Sequence, residues 1–292
     1  MIVVALVAGC ATVEDTVYLR GIDARSTLAS HPVAVTDSLS AGRIQLSFRA
    51  SRSPVENITG QIPVSGPVPP DSVDSTNRDR NLLWSFPPTQ IGFDLVVPLS
   101  RVFGLEGGIQ LSPASDRTFV GGYVGCALSG KGDGLGIRLS GGIRWSTVQV
   151  TAYSTVVTRT QSWFSSPKEE IWFFRDSVNI TPMDWYGTLT LNTNIHASPL
   201  NVFVQGAMLR QGLARYTPSS QIYPLVFVTY TQTDTRTDYT VTLWSLTPGL
   251  SLQIGDQMRV LAGARWLSHD IMSGSPSSIW IPFFQVDLLL GI

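Results

Sequence analysis

Charged side chains are scarce in this chain. Of 292 residues only 14% are Asp, Glu, Lys or Arg, against about 25% in ordinary soluble domains. The 20 basic and 21 acidic residues leave a net charge of -1. That balance excludes a disordered polyelectrolyte and supplies no basic footprint for a phosphate backbone, so no nucleic-acid partner is expected. Cysteine is nearly absent. Cys10 and Cys126 alone cannot build the disulfide framework of a small secreted domain, and no CxxC spacing suggests zinc. The three histidines, His31, His196 and His269, are scattered. No GxSxG elbow, P-loop or HExxH pattern occurs, so no catalytic residue, cofactor or metal is expected. No interior run approaches the ~18 consecutive apolar residues of a spanning helix, and helical periodicity is hard to find. Yet 43% of the residues are hydrophobic, an apolar content with no helix to hold it.

What the chain does have is period-two alternation, the mark of strands with two unlike faces. In residues 43–50, Ile44, Leu46, Phe48 and Ala50 oppose Arg43, Gln45, Ser47 and Arg49. The pattern predicts an all-β chain of ten strands near 43–50, 89–99, 103–111, 118–128, 135–158, 185–197, 201–216, 238–254, 258–269 and 279–292. Its phase changes at Val148 and Val150, which signals a bulge or emergence from the surface that the first part contacts. The faces of 118–128 and 201–211 are ambiguous, since both hold apolar residues.

Connection lengths add topology. Turns near 100, 130, 199 and 256 are short, while 52–88, 159–184 and 217–237 are long, and every long connection falls at the same end. An antiparallel up-and-down barrel gives this pattern, and outer-membrane barrels have it. Opposite the aliphatic face lie Arg43, Arg49, Asp94, Glu106, Arg138, Arg144, Arg259, Arg265 and Asp287, as expected of a polar lumen inside a lipid-facing wall. Trp145, Trp185, Tyr186, Tyr239, Trp244, Trp266 and Trp280 suit an interfacial girdle near the long-loop end, the alternative being the core of a sandwich. Arg49, Asp94 and Glu106 fall at similar heights on strands one to three, as do Arg265 and Asp287 on the last two. Since unpaired buried charges are costly, a lumenal network is expected: Arg49 against Asp94 and Glu106, Arg265 against Asp287, with Arg144 on the same inner face; the alternative is that these residues only line wet space.

Two local resemblances extend the reading. Phe284, Val286, Leu288, Leu290 and Ile292 form an apolar row that resembles the terminal strand of bacterial outer-membrane β-barrels, departing from it in ending on Ile rather than an aromatic. Val7-Ala8-Gly9-Cys10, after an apolar run, resembles the lipobox of bacterial lipoproteins, without a basic residue ahead of it. That resemblance implies a signal peptide over 1–9 and lipid on Cys10. Residues 10–41 then form a periplasmic or lumenal segment, and 42–292 the barrel.

The expected localisation is the bacterial outer membrane, with membrane lipid as one partner. Trp163, Phe164, Trp172, Phe173 and Phe174 are expected to mark a loop surface for a protein partner, because exposed aromatic patches are commonly contact surfaces, the alternative being that these loops fold back to cap the barrel. A non-enzymatic scaffold or assembly subunit is the leading expectation. A narrow pore lined by Arg, Asp and Glu is the second. The third is a hydrolase near His269, where Asp184, Asp234, Asp238 and Asp270 could gather; the omptin proteases are similar in strand number alone.

Overall fold

The computed structural model describes residues 11–36, 42–61, 81–132, 134–162, 165–194, 198–216, 229–232, 237–271 and 278–291. Cys10, Trp163, Phe164, His196 and Asp234 lie outside them. The described residues form strands and no helix. In chain order these are β1 (Ala11–Ser26), β2 (Arg43–Arg52), β3 (Asn57–Gln61), β4 (Asn81–Ser85), β5 (Thr89–Pro98), β6 (Phe103–Pro113), β7 (Thr118–Lys131) and β8 (Gly134–Ser146). They continue as β9 (Val148–Ser162), β10 (Ser165–Ile180), β11 (Met183–Asn194), β12 (Leu200–Tyr216), β13 (Thr229–Gln232), β14 (Thr237–Ile254), β15 (Met258–His269) and β16 (Ser278–Gly291).

Ten of them close into an antiparallel barrel in the order β2-β5-β6-β7-β8-β11-β12-β14-β15-β16, with β16 returning to β2. Turns β5–β6, β7–β8, β11–β12 and β14–β15 are short and lie at one end. Gly134 and Gly255 sit there at φ of 83° and 63°, a backbone shape that a side chain disfavours. The wall is inverted relative to a soluble protein. Leu46, Phe93, Leu105, Ile143, Leu250 and Leu288 face outward at 40–55% exposure, whereas Gln285, Asp287 and Arg259 face inward at 0–1%. An apolar belt of that extent is unsuited to water and suits hydrocarbon, where a closed barrel also pairs every backbone group. The fold is therefore a transmembrane β-barrel. Cys126 points outward as an apolar wall residue with a free thiol.

Trp185, Trp244 and Trp280 stand outward near the long-connection end, with Trp145 and Trp266 half-buried between them. Tyr186, expected in this girdle, is buried instead. Adjacent strand residues point to opposite faces, so an outward Trp185 forces Tyr186 into the lumen. The side chain of Tyr239 lies outside the described residues.

Above that end sits a second sheet, β10-β9-β1-β4-β3, with β13 pairing beside β1. Here two expectations change. The predicted strand 135–158 is two strands, and Val148 is where the chain leaves the barrel for this cap. Of the segment 10–41, expected to be periplasmic or lumenal, Ala11–Ser26 is a cap strand paired along its length with β9, and residues 27–36 lie in the lumen. Ile22, Ala24, Trp84, Val148 and Val150 of the cap bury against Leu209, Leu213, Leu243, Leu267 and Ile281 of the inner wall in one apolar cluster. This explains the doubly apolar 201–211 segment, whose upper inward residues roof the lumen rather than line water.

Candidate functional site: a strap-filled lumen and an exposed cap edge

Beyond Ser26 the chain enters the lumen and runs through it as an extended strap, residues 27–36. An extended segment with no sheet neighbour must find partners for each buried N–H and C=O. The wall supplies them with carboxamides, each of which can donate and accept. Gln211 accepts from the Ala29 amide (3.2 Å) and donates to the Thr27 carbonyl (2.9 Å). Gln285 does the same for Val33, accepting at 3.1 Å and donating at 2.7 Å, and Asn192 for Thr36, at 3.0 Å each way. Gln110 donates to Leu28 O and Gln205 to Pro32 O, both at 2.8 Å. Arg265 donates to His31 O at 2.8 Å.

The charged residues form two clusters under this strap. Arg49 bonds Asp94 at 2.8 Å and also reaches Ser30 of the strap, while Tyr123 donates to Asp94 at 3.0 Å. Asp287 is held by Arg259 at 2.8 Å, with further bonds from Ser47 and Gln285. The expected Arg49–Asp94 pair is present, and two other expected pairs are replaced. Glu106 bonds Arg138 at 2.7 Å instead of Arg49. Asp287 takes Arg259 because the two are directly opposed in the β15–β16 ladder, whereas Arg265 opposes Ile281, six residues or about 20 Å farther along the strand. Arg144 is buried on the inner face, and its Nη1 has no hydrogen-bond partner among the described residues.

Aromatic rings reach these carboxylates by lying across glycines. Tyr186, Gly142, Gly125 and Glu106 occupy one row over four adjacent strands. The Tyr186 ring crosses both glycines and its hydroxyl donates to Glu106 at 2.8 Å. A Cβ on Gly125 would strike that hydroxyl and the Gly141 carbonyl. Tyr123 crosses Gly108 to Asp94 in the same manner. Between the two tyrosines sits His31 of the strap, 4.6 Å and 4.5 Å from their ring centroids, with Nε2 3.4 Å from Glu106. The space left here, bounded by Ser30, His31, Arg49, Tyr123, Arg144 and Tyr186, suits about one water molecule. The lumen is occupied.

The cap carries the other sequence-named residues. Trp172, Phe173 and Phe174 are exposed on β10, with Arg20 stacked on Phe173 at 5.4 Å; Trp163 and Phe164 lie outside the described residues. Arg25 bonds Asp116 at 2.9 Å and holds its carboxyl below the usual 3.8. Tyr153 donates to Asp23 at 2.8 Å, a bond to its protonated form that raises the phenol's pKa. His269 is buried at the end of β15, and its neighbouring acids are otherwise engaged. Asp270 accepts from the Thr242 amide at 2.7 Å and Asp184 from the Gly212 amide at 2.6 Å. The side chain of Asp238 lies outside the described residues. Among the described residues no group of His, Cys, Asp and Glu could hold a metal.

No protein-family model matches the chain, and no curated protein matches its sequence. Solved structures similar to it include LpxR from Salmonella typhimurium, at 9% identity over 85% of this chain and 100% of that one, with a TM-score of 0.32. A mutant of the ferric enterobactin receptor from Pseudomonas aeruginosa has 10% identity over 84% of this chain and 41% of the receptor, TM-score 0.24. The outer membrane channel DcaP of Acinetobacter baumannii has 9% identity over 85% of this chain and 96% of the channel, TM-score 0.19. At these values the likeness extends to no activity.

Proposed function

We propose that this protein is a plugged bacterial outer-membrane barrel that presents an extramembrane cap for protein assembly, without enzymatic activity. The observation that carries the reading is the occupied lumen. Residues 27–36 are held along their length by wall amides and arginines, and an apolar core closes the cap end. Passage of solute would require breaking these bonds. The exposed apolar residues of β10 favour contact as the cap's role, and the inverted wall favours a membrane location. Lipid on Cys10 belongs to the same proposal; Ala11 opens a cap strand, so the acyl chains would tether the protein from the cap side.

The test is single-channel recording of the purified protein in a planar bilayer, beside protease accessibility of the cap on intact cells. Insertion without steady conductance, and a cap cleaved from outside, are the expected results. Stable conductance steps from the wild type would overturn the plugged reading in favour of a pore. Mass spectrometry of the N-terminal peptide would reveal a diacyl or triacyl adduct on Cys10; an unmodified cysteine on the mature chain would remove the lipid anchor.

A further inference from the structure

The outer edge of β10 is unpaired among the described residues, since β10 pairs only with β9. Residues 166–179 are exposed on both faces, with Trp172 at 53% and Phe173 at 65%. A long exposed edge with apolar side chains is a template for strand addition, and proteins ordinarily blunt such edges. What pairs with it is encoded in its own sequence. Laid antiparallel against a second copy with the two-fold axis at Trp172, the strand places Lys168 opposite Asp176 and Glu169 opposite Arg175. Ile171 falls opposite Phe173, and Trp172 opposes itself.

Directly opposed residues share a sheet face. One face thus has a Trp–Trp centre flanked by two Lys–Asp pairs, and the other an Ile–Phe centre flanked by two Glu–Arg pairs. Glu170 falls opposite Phe174 and gains no partner. Alternative registers fare worse. Moving the axis one residue, to Phe173, sets Glu170 against Asp176, and setting Lys168 against Glu170 puts Glu169 against itself. The complementary register runs in regular phase over residues 168–176, up to the irregularity between Ser165 and Lys168. Within each copy Glu169 already bonds Arg159 at 2.6 Å, and Arg175 lies over the Tyr153 ring at 5.7 Å. Pairing would therefore extend an existing row, Arg159–Glu169, with the Arg175 and Tyr153 of the second copy.

We propose that the partner of the cap is a second copy of this chain, joined through an isologous β10–β10 edge that merges the two cap sheets. The proposal deepens the assembly reading above and rests on the cap lying outside the membrane.

The test uses the full-length protein in proteoliposomes under mild oxidation. Directly opposed Cα atoms lie about 4.5–5.5 Å apart, within disulfide range. Trp172→Cys is expected to give a covalent dimer, whereas Val178→Cys would lie about 40 Å from its symmetry mate and give none. The parent protein reports any background from Cys10 and Cys126. Lys168→Glu or Asp176→Lys alone should weaken dimerisation about ten-fold, since both pairs become like-charged. The combined Lys168→Glu/Asp176→Lys variant should restore it to within about two-fold. Equal cross-linking at 172 and 178, no cross-link at 172, or failure of the double variant to recover would each overturn the proposal. A protein that conducts yet cross-links at 172 sinks the plugged reading alone. One that neither conducts nor cross-links sinks the dimer alone.

Discussion

If the strap is held as a unit, loosening one clamp must be felt at another. Gln285→Leu tests this, because leucine nearly preserves the volume while removing both hydrogen bonds to Val33; the bond to Asp287 goes with them, but that carboxylate keeps Arg259 and Ser47. Val33 is fully buried, so its amide and carbonyl are stranded at about 1–3 kcal/mol each, about 4 kcal/mol together. The natural readout is hydrogen exchange at Ala29, four residues away, whose own acceptor Gln211 is untouched. With each 1.4 kcal/mol worth a factor of ten, Ala29 exchange should accelerate by about three decades if exchange proceeds through release of the whole strap. Gln253→Leu, which alters only an exposed turn bond to Gly255, should leave it unchanged. An Ala29 rate within about two-fold of wild type in Gln285→Leu would refute the idea that the wall amides clamp one cooperative plug.

Other outcomes follow from the lumen and the cap. Asp287→Asn removes the carboxylate opposing the buried Arg259 guanidinium and should cost about 3–5 kcal/mol in the urea midpoint of the micelle-bound protein. Tyr186→Phe keeps the ring over its glycines but drops the bond to Glu106, a loss of about 1.5–3 kcal/mol in the same assay. Gly125→Ala drives a methyl into the Tyr186 hydroxyl and the Gly141 backbone and should destabilise by about 1–3 kcal/mol. In the cap, Asp116 titrates below its unfolded 3.8 because Arg25 bonds the carboxylate. Its stabilising effect is whole above that value and fades as pH falls through the lower folded one. Exchange protection around Arg25 should therefore drop below about pH 4 in wild type and lose that step in Asp116→Asn.

The barrel was legible because period two sorts side chains with no knowledge of partners: Arg49, Asp94, Glu106, Arg144, Arg265 and Asp287 all face inward. Partner choice was not, because the β15–β16 register depends on how the 270–277 connection closes, and that register sets Asp287 beside Arg259. Tyr186 could have been placed, since parity with Trp185 and the glycines of the neighbouring strands leave it one place to lie. The strap had no signal of its own; Thr27-Leu28-Ala29-Ser30-His31-Pro32 carries neither alternation nor a formal charge. Its trace was in the wall. Inward carboxamides such as Gln205, Gln211 and Gln285 are surplus to a channel lining and meaningful only as clamps for a backbone.

The strap also dictates an order of events. Residues 11–26 lie beyond one mouth of a closed ring and β2 begins at the other, so the chain is threaded through its own barrel. A ring already sealed would have to admit that thread lengthwise. The seam between β16 and β2 joins the last barrel strand to the strand that follows the strap, so it can zip last, after the thread is laid. Assembly would then leave a segment that precedes every barrel strand enclosed, and the insertion machinery would receive an open, already threaded sheet rather than a finished cylinder.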